Sequence, residues 1–333
     1  MNMSAEGNKI FSFYNDAKKL IKGEMVIPRF VSLWLTTSCD LQCLYCYFNN
    51  KNKEKQFADT NKVKRLIDEL VSLGIESLEL SGGGEPTLHP DCFDIIEYAY
   101  KKGLKVGLLT NGFKFDFYKI MYLTYVRFGV DSTTDKQFLK IKGGKDGRFT
   151  ELINQIKKLL EFRKGREFPS IGIKFMLNKL NYTCIEDMVS LAFTTGVDYC
   201  HFKGTHSDKN ALTSKQRLDL ESIINRKKES YPNFVFGSVN RCVAKVDCFM
   251  APIHTVITST GDVLNCCYFY EKDKVVGNAF KTSFSTIWFS DNHKKVINSI
   301  KVSDCNKVDC RFSHYNNEMN SILKANKYNL SFI

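Results

Sequence analysis

The sequence predicts an α/β fold, with a body of alternating strands and helices followed by a smaller module rich in cysteine. Two observations carry that expectation. From about residue 29, short β-rich runs alternate with amphipathic helical stretches, and Gly, Asn, Asp or Ser sit in the breaks. After residue 232 this rhythm stops, and six of the 12 cysteines fall in the remaining stretch. A chain of 333 residues is long enough for one large domain and an appendage, and it needs no disulfide staples to be stable.

The expected strands are 30–36, 76–80, 104–109, 124–130, 170–176 and 199–203, and the helices between and after them fall near 60–73, 90–102, 115–122, 149–162, 183–195 and 213–230. Ahead of them, Ile10, Phe11, Tyr14, Ala17 and Leu20 are spaced for a short amphipathic helix within residues 1–27. Six strand–helix units fit either an open doubly wound sheet or a partly closed barrel, and in both the chemistry belongs at the carboxyl ends of the strands. The main body spans 28–232. In 233–333, residues 233–240 read as a strand, 254–270 as a hairpin turning at Thr260–Gly261–Asp262, and 283–300 as a helix.

The N-terminus lacks a basic flank with an apolar run and a small-residue cleavage site, and no stretch is long and apolar enough for a membrane span. A soluble cytoplasmic protein is therefore expected, one in which clustered thiols are metal ligands or catalytic groups rather than disulfides. The net charge of +12 is scattered along helix faces without a basic–aromatic stripe, so it does not point to nucleic acid.

Behind the first strand, Cys39, Cys43 and Cys46 stand in a C-x3-C-x2-C spacing, for which about 0.016 chance occurrences are expected from 12 cysteines in 333 positions. Three thiolates from one loop can share an iron–sulfur cluster and leave one iron without a protein bond, whereas structural zinc prefers four closed ligands. The second strand runs into Ser81–Gly82–Gly83–Gly84–Glu85–Pro86, whose glycines permit close backbone approach to a ligand. Together these motifs resemble the radical SAM superfamily, over residues 28 to about 205. The resemblance implies a partial (β/α)6 barrel and a 4Fe-4S cluster whose open iron chelates S-adenosylmethionine. An electron from a flavodoxin- or ferredoxin-type donor then cleaves that cofactor to a 5′-deoxyadenosyl radical. It further implies that Gly82, Gly83, Gly84 and Glu85 receive the methionyl ammonium, that Tyr45 lies near the adenine, and that Asp131 and Ser132 reach the ribose or methionine. Asn178, and beyond it Lys203 or His206, face the same mouth.

In the C-terminal stretch, Cys248-x12-Gly261-x4-Cys266 with Cys305-x4-Cys310 resembles the SPASM and twitch modules of that superfamily. The small number of cysteines matches the shorter, single-cluster twitch form, a small α+β module. Cys248, Cys266, Cys305 and Cys310 would close a second, auxiliary 4Fe-4S cluster, with Cys242 and His314 as alternates. A four-cysteine zinc site answers the same spacing. Cys267 directly follows a proposed ligand, and on a strand it would point the other way, toward the active site, as a hydrogen-atom donor; a small buried hydrophobe is the plainer reading. Cys92, Cys184 and Cys200 read as packing residues. The expected activity is dehydrogenation or epimerisation of a carbohydrate or small metabolite, with a ribosomally made peptide as the alternative substrate and a zinc-stapled binding protein as the non-catalytic alternative.

Overall fold

The computed structural model describes residues 14–48, 54–205, 210–239, 243, 245, 248–267, 274–308, 310 and 312–324. His206 and Cys242, and residues 8–13 of the expected first helix, lie outside the described residues.

Seven strands lie side by side in chain order and pair in parallel: β1 (Phe30–Leu33), β2 (Ser77–Leu80), β3 (Lys105–Thr110), β4 (Tyr125–Gly129), β5 (Ser170–Leu177), β6 (Tyr199–Gly204) and β7 (Val235–Ser238). Their alternation explains both faces. Val31, Leu33, Leu78, Leu80, Val106, Leu108, Val126, Phe128, Ile171, Ile173, Phe175, Cys200 and Phe202 are buried in one continuous core. The helices that pack on this face are α2 (Thr60–Ser72), α3 (Cys92–Lys101), α5 (Arg148–Arg163), α6 (Ile185–Thr195) and α7 (Ser214–Ser230). The intervening positions, Ser32, Glu79, Arg127, Lys174, His201 and Lys203, share the opposite, inner face.

Two glycines make room for the floor of that inner face. A Cβ on Gly107 would stand 2.4 Å from the Tyr125 ring, and one on Gly172 would stand 2.2 Å from the Tyr199 ring. The two tyrosines thus lie across glycine backbone and flank Arg127, whose guanidinium is 5.5 Å from one ring centroid and 5.4 Å from the other. Tyr125 donates to Glu79 Oε2 at 2.6 Å, and Ser32 and Ser81 donate to Oε1. A half-buried carboxylate and a half-buried guanidinium are tolerated because each has partners.

The remaining strands extend the same sheet. β8 (His254–Ile257) runs parallel to β1 on its other side, and β9 (Asp262–Leu264) and β10 (Val275–Asn278) follow antiparallel, giving the order β10-β9-β8-β1-β2-β3-β4-β5-β6-β7. β7, read from sequence as part of the C-terminal module, pairs with β6 and continues the barrel sheet. The expected helix over 283–300 is two, α8 (Phe284–Trp288) and α9 (Asp291–Asn298), because the Ser290 hydroxyl accepts from His293 N and starts a new helix. The helix expected near 115–122 is only a short 3-10 turn at Lys119–Tyr122. A helix not foreseen, α4 (Asp135–Lys142), follows β4, with Thr134 capping its start and Gly143 ending it at φ 69°. The set is completed by α1 (Tyr14–Ile21), α10 (Val302–Val308) and α11 (Ser313–Lys324).

His293 makes the C-terminal packing sensitive to acid. It is fully buried, with its ring 4.1 Å from that of Trp288, its Nδ1 donating to the Trp288 carbonyl, and burial pushing its pKa down to about 4. The unfolded chain, with an ordinary imidazole near pH ~6.5, takes up the proton first as pH falls. The associated stability is therefore complete above that pH and is lost between about 6.5 and 4, amounting to ~3 kcal/mol at most. Urea midpoints measured across this window should fall for the native chain and fall less for His293→Gln; parallel slopes would contradict the assignment.

Candidate active site

The loop after β1 carries Cys39, Cys43 and Cys46 and is held from several sides. Gln42 N donates to Lys142 O and Leu44 N to Ile141 O, both at 2.9 Å, so the end of α4 carries its middle. Glu85 N donates to Ser38 O at 2.8 Å, and Asn111 Nδ2 to Asp40 Oδ1 at 2.5 Å, which binds its start to the loops after β2 and β3. The thiols lie close enough to act on one another. Burial pushes Cys39 up to about 11, with Glu85, Asp40 and Cys46 adding to it, and pushes Cys43 up to about 12, where Cys46 and Cys39 add and Lys142 opposes. Neutral thiols of this kind become ligands when a metal charge offsets their desolvation and releases their protons.

The glycine segment lies directly on this loop. Gly82 and Gly83 have φ of 58° and 70°, and a Cβ on Gly82 would be 2.2 Å from Trp34 Nε1. A Cβ on Gly83 would be 2.9 Å from Thr36 O, and one on Gly84 2.2 Å from Ser38 O. The Glu85 carboxylate, 4% exposed, accepts from Thr87 N, the Thr87 and Thr110 hydroxyls and Asn111 N at 2.6–3.1 Å. Burial pushes its pKa up, and these four donors oppose that rise. Its side chain thus ties β2 to β3 beneath the glycines.

The other sequence-predicted positions are engaged within the protein. Asp131 is fully buried at φ 62°; its Oδ1 accepts from Met176 N at 2.6 Å, and its Oδ2 accepts from the Tyr45 hydroxyl and pairs with Lys142 Nζ at 3.2 Å. Burial, then Asp131, pushes the Tyr45 phenol well up, so it remains a donor. Ser132 Oγ donates to Val130 O, while Asn178 Oδ1 accepts from Leu180 N and its Nδ2 donates to Met176 O. Sequence reasoning missed Lys142, because nothing in KIKGG separates a buried lysine from an exposed one. It also missed Thr205, whose side chain faces the barrel interior, since the Cβ direction of the preceding Gly204 meets Arg217 on α7. The Thr205 hydroxyl is buried with no hydrogen-bond partner among the described residues.

In the C-terminal module, Cys305 and Cys310 pack together, and the Cys310 thiol, followed by burial, pushes Cys305 up. Both Cys248 and Cys310 act on Cys305, and Phe312 packs on Cys305 and Cys310 and, like Cys248, on the cluster of Val26, Met250 and Ile253. Amides already point at the sulfurs: Ala251 N to Cys248 Sγ and Phe312 N to Cys310 Sγ, both at 3.3 Å, and Asn316 Nδ2 to Cys248 Sγ at 3.7 Å. Such hydrogen bonds tune iron–sulfur clusters. His314 stacks on Tyr315 at 3.9 Å. β9 ends at Leu264, so Asn265, Cys266 and Cys267 lie beyond the strand, and the opposite-face argument for Cys267 does not hold. Cys267 instead packs, with Phe48 and Val275, on the cluster formed by Trp34, Val256 and Leu264. Trp34 is also the ring beneath Gly82. Among the described residues no group of three His, Cys, Asp or Glu side chains is arranged to hold a single metal ion. A cubane spreads its ligands around a larger body, and three thiols on one loop, near enough to act on one another and beside a cradle closed to any Cβ, fit that group and its cofactor.

The comparisons agree with this geometry. The radical SAM superfamily model matches residues 35–192, and the model of the SPASM iron–sulfur cluster-binding domain matches 248–311. The protein is a radical SAM enzyme with a C-terminal SPASM domain, and its cofactors are S-adenosylmethionine, a 4Fe-4S cluster and auxiliary iron–sulfur. It is 24% identical over 293 residues to the tungsten-containing aldehyde ferredoxin oxidoreductase cofactor-modifying protein of Pyrococcus furiosus, covering 80% of this chain and 82% of that one. It is also 24% identical over 312 residues to the antilisterial bacteriocin subtilosin biosynthesis protein AlbA of Bacillus subtilis, covering 88% of this chain and 67% of AlbA. Streptococcus suis SuiB bound to S-adenosylmethionine superposes with a TM-score of 0.70 at 18% identity, over 98% of this chain and 82% of SuiB, a likeness of fold. No described helix is long and apolar enough to cross a membrane.

Gly84 offers a steric test. Gly84→Ala should displace Ser38 and the cysteine loop and weaken S-adenosylmethionine binding by on the order of tenfold or more. Gly103→Ala, with a strained φ of 93° but nothing within 4 Å, should not. Isothermal titration of the two anaerobically reconstituted variants compares them, and equal affinities would contradict the cradle.

Proposed function

We propose that the protein abstracts hydrogen from a polar small metabolite or carbohydrate held at the carboxyl ends of the barrel strands, dehydrogenating or epimerising it. The observation that carries this reading is the inner face itself. Toward the mouth it presents Lys174, His201, Lys203 and Thr205 above the Tyr125–Arg127–Tyr199 floor, a lining that suits a hydroxyl-rich or charged molecule. When bound, the cluster and S-adenosylmethionine supply the 5′-deoxyadenosyl radical that takes the hydrogen.

The chain's own residues supply the rest. Cys39, Cys43 and Cys46 hold the cluster while the backbone of Gly82, Gly83 and Gly84 receives the cofactor. Tyr45, Asp131, Ser132, Glu85 and Asn178 fix the loops around it. Cys248, Cys266, Cys305 and Cys310 hold one auxiliary cluster, which in the dehydrogenating version would take the remaining electron of the substrate radical while the proton leaves to solvent. In the epimerising version the Cys267 thiol gives its hydrogen atom to the substrate carbon radical, so an S–H bond breaks, a C–H bond forms, and a thiyl radical is left. An electron from a flavodoxin- or ferredoxin-type donor, with a proton from solvent, restores the thiol. The packing of Cys267 against the cluster formed by Trp34, the ring that Gly82 also meets, supports this role.

A peptide substrate is the second reading, favoured by the likeness to AlbA over 88% of this chain and to SuiB solved with its precursor peptide SuiA, the latter at TM-score 0.70 over 97% of this chain. Extracts of a strain lacking the gene separate the two. The dialysable fraction should raise 5′-deoxyadenosine release by the reduced, reconstituted enzyme, whereas stimulation confined to the peptide fraction would overturn the first reading. With the substrate in hand, Cys267→Ala should still release 5′-deoxyadenosine yet no longer deliver solvent deuterium to an epimerised product. Undiminished labelling would remove the donor role.

A further inference from the structure

Lys142 and Asp131 meet where charge is most costly. Their side chains are 4% and 0% exposed, with Nζ 3.2 Å from Oδ2. Desolvation costs several kcal/mol for each ion, and well-packed apolar residues often replace such a pair without loss of stability. Stability alone therefore gives no reason for a lysine here.

Its surroundings give another. The Lys142 ammonium also donates to Gly129 O, at the end of β4, while the Lys142 carbonyl accepts from Gln42 N inside the cysteine loop. One residue thus grips the loop by its backbone and places a cation under it. Gly129 leaves the space for that cation, since a Cβ there would be 3.1 Å from Nζ. The hydroxyl of Tyr45, which stands between Cys43 and Cys46, donates to the same Asp131 Oδ2 that pairs with Nζ, so the ammonium stands against the cysteine loop. A field that favours negative charge on these sulfurs also favours an electron arriving on the iron they bind, and in a low-dielectric interior it is weakly screened.

We propose that Lys142 is a positioning residue that raises the reduction potential of the cluster held by Cys39, Cys43 and Cys46, with Asp131 as the counter-ion that partly offsets it. This rests on the reading that those three thiols hold the cluster. The step concerned is a one-electron transfer: the flavodoxin- or ferredoxin-type donor is oxidised, the cluster is reduced, and no proton or bond changes hands. Asp131 then serves as an electrostatic and hydrogen-bonding anchor rather than as a cofactor ligand.

The sign of the effect separates this role from a purely structural one. In anaerobic redox titrations of the reconstituted holoenzyme, followed by the electron paramagnetic resonance signal that shifts on adding S-adenosylmethionine, Lys142→Met should lower the midpoint and Asp131→Asn should raise it. Each shift should correspond to a tenfold or larger change in the reduction equilibrium, about 59 mV for one electron. Lys142→Arg should stay near the native value, and the Asp131→Asn, Lys142→Met double variant should lie between the two single variants. Should Lys142→Met not fold, Asp131→Asn against the double variant makes the same comparison, since they differ only in the ammonium. Shifts of the same direction in both single variants, or none, would overturn the proposal while leaving the cluster in place. A native protein that shows no such signal would instead overturn the ligand assignment on which it rests.

Discussion

A carboxylate buried in the left-handed region of the backbone binds the cysteine loop to the barrel. Asp131, at φ 62°, ends β4 with its side chain turned inward, and its two oxygens collect an amide from β5, the phenol of Tyr45 and the ammonium of Lys142. The conformation is uncommon for a residue with a Cβ, and the three partners hold it there. Through Tyr45 the loop is tied to the strand ends, and through the Ile141 and Lys142 carbonyls it is tied to α4. Three thiols on a loop of this length would otherwise sample many arrangements, and the entropy of gathering them would oppose cluster binding.

The C-terminal module is bound to the barrel by an equally definite set of contacts. β8 pairs in register with β1, placing Val256 opposite Ser32 one residue before Leu33, so that the sheet is continuous across the two parts. The Glu69 carboxylate on α2 accepts from Phe284 N and Ser285 N at 2.9 Å, capping α8 from a distant helix, and Trp288 Nε1 donates to Val26 O at 2.7 Å. Trp34 is the hinge point of this union. It lies under Gly82 on one side and packs with Val256 and Leu264 on the other, so the chain that carries Cys267 is built onto the same ring that shapes the glycine cradle.

The barrel strands were legible because their outward faces are strongly apolar and period two is clear in β2, β4 and β5; β5 reads Ile171, Ile173, Phe175, Leu177 without a break. The cysteine loop and the glycine segment were legible for another reason, that few residue types can do what they do and their spacing is short. The misses are α4 with its Lys142 and the place of Cys267, neither of which a local pattern marks. α4 shows only Phe138 and Ile141 as buried apolar positions, too few to announce a helix, and Lys142 completes its buried face with a charge whose partner lies on β4. Asp131, Ser132, Glu85 and Asn178 were read as cofactor contacts from position, and the structure adds the hydrogen bonds to Met176, Val130, Thr110 and Leu180 that hold them in place. Cys267 was placed on a strand that stops three residues earlier, a boundary no local pattern marks.

The account turns on one iron being left open by the three-thiol loop. Mössbauer spectroscopy of the anaerobically reconstituted protein, with isotopically enriched iron, tests this directly. Addition of S-adenosylmethionine should change the environment of one iron in the cluster of Cys39, Cys43 and Cys46 and leave the other three as they were. Four irons that all remain unchanged, as a cluster closed by a fourth protein ligand would give, would contradict it.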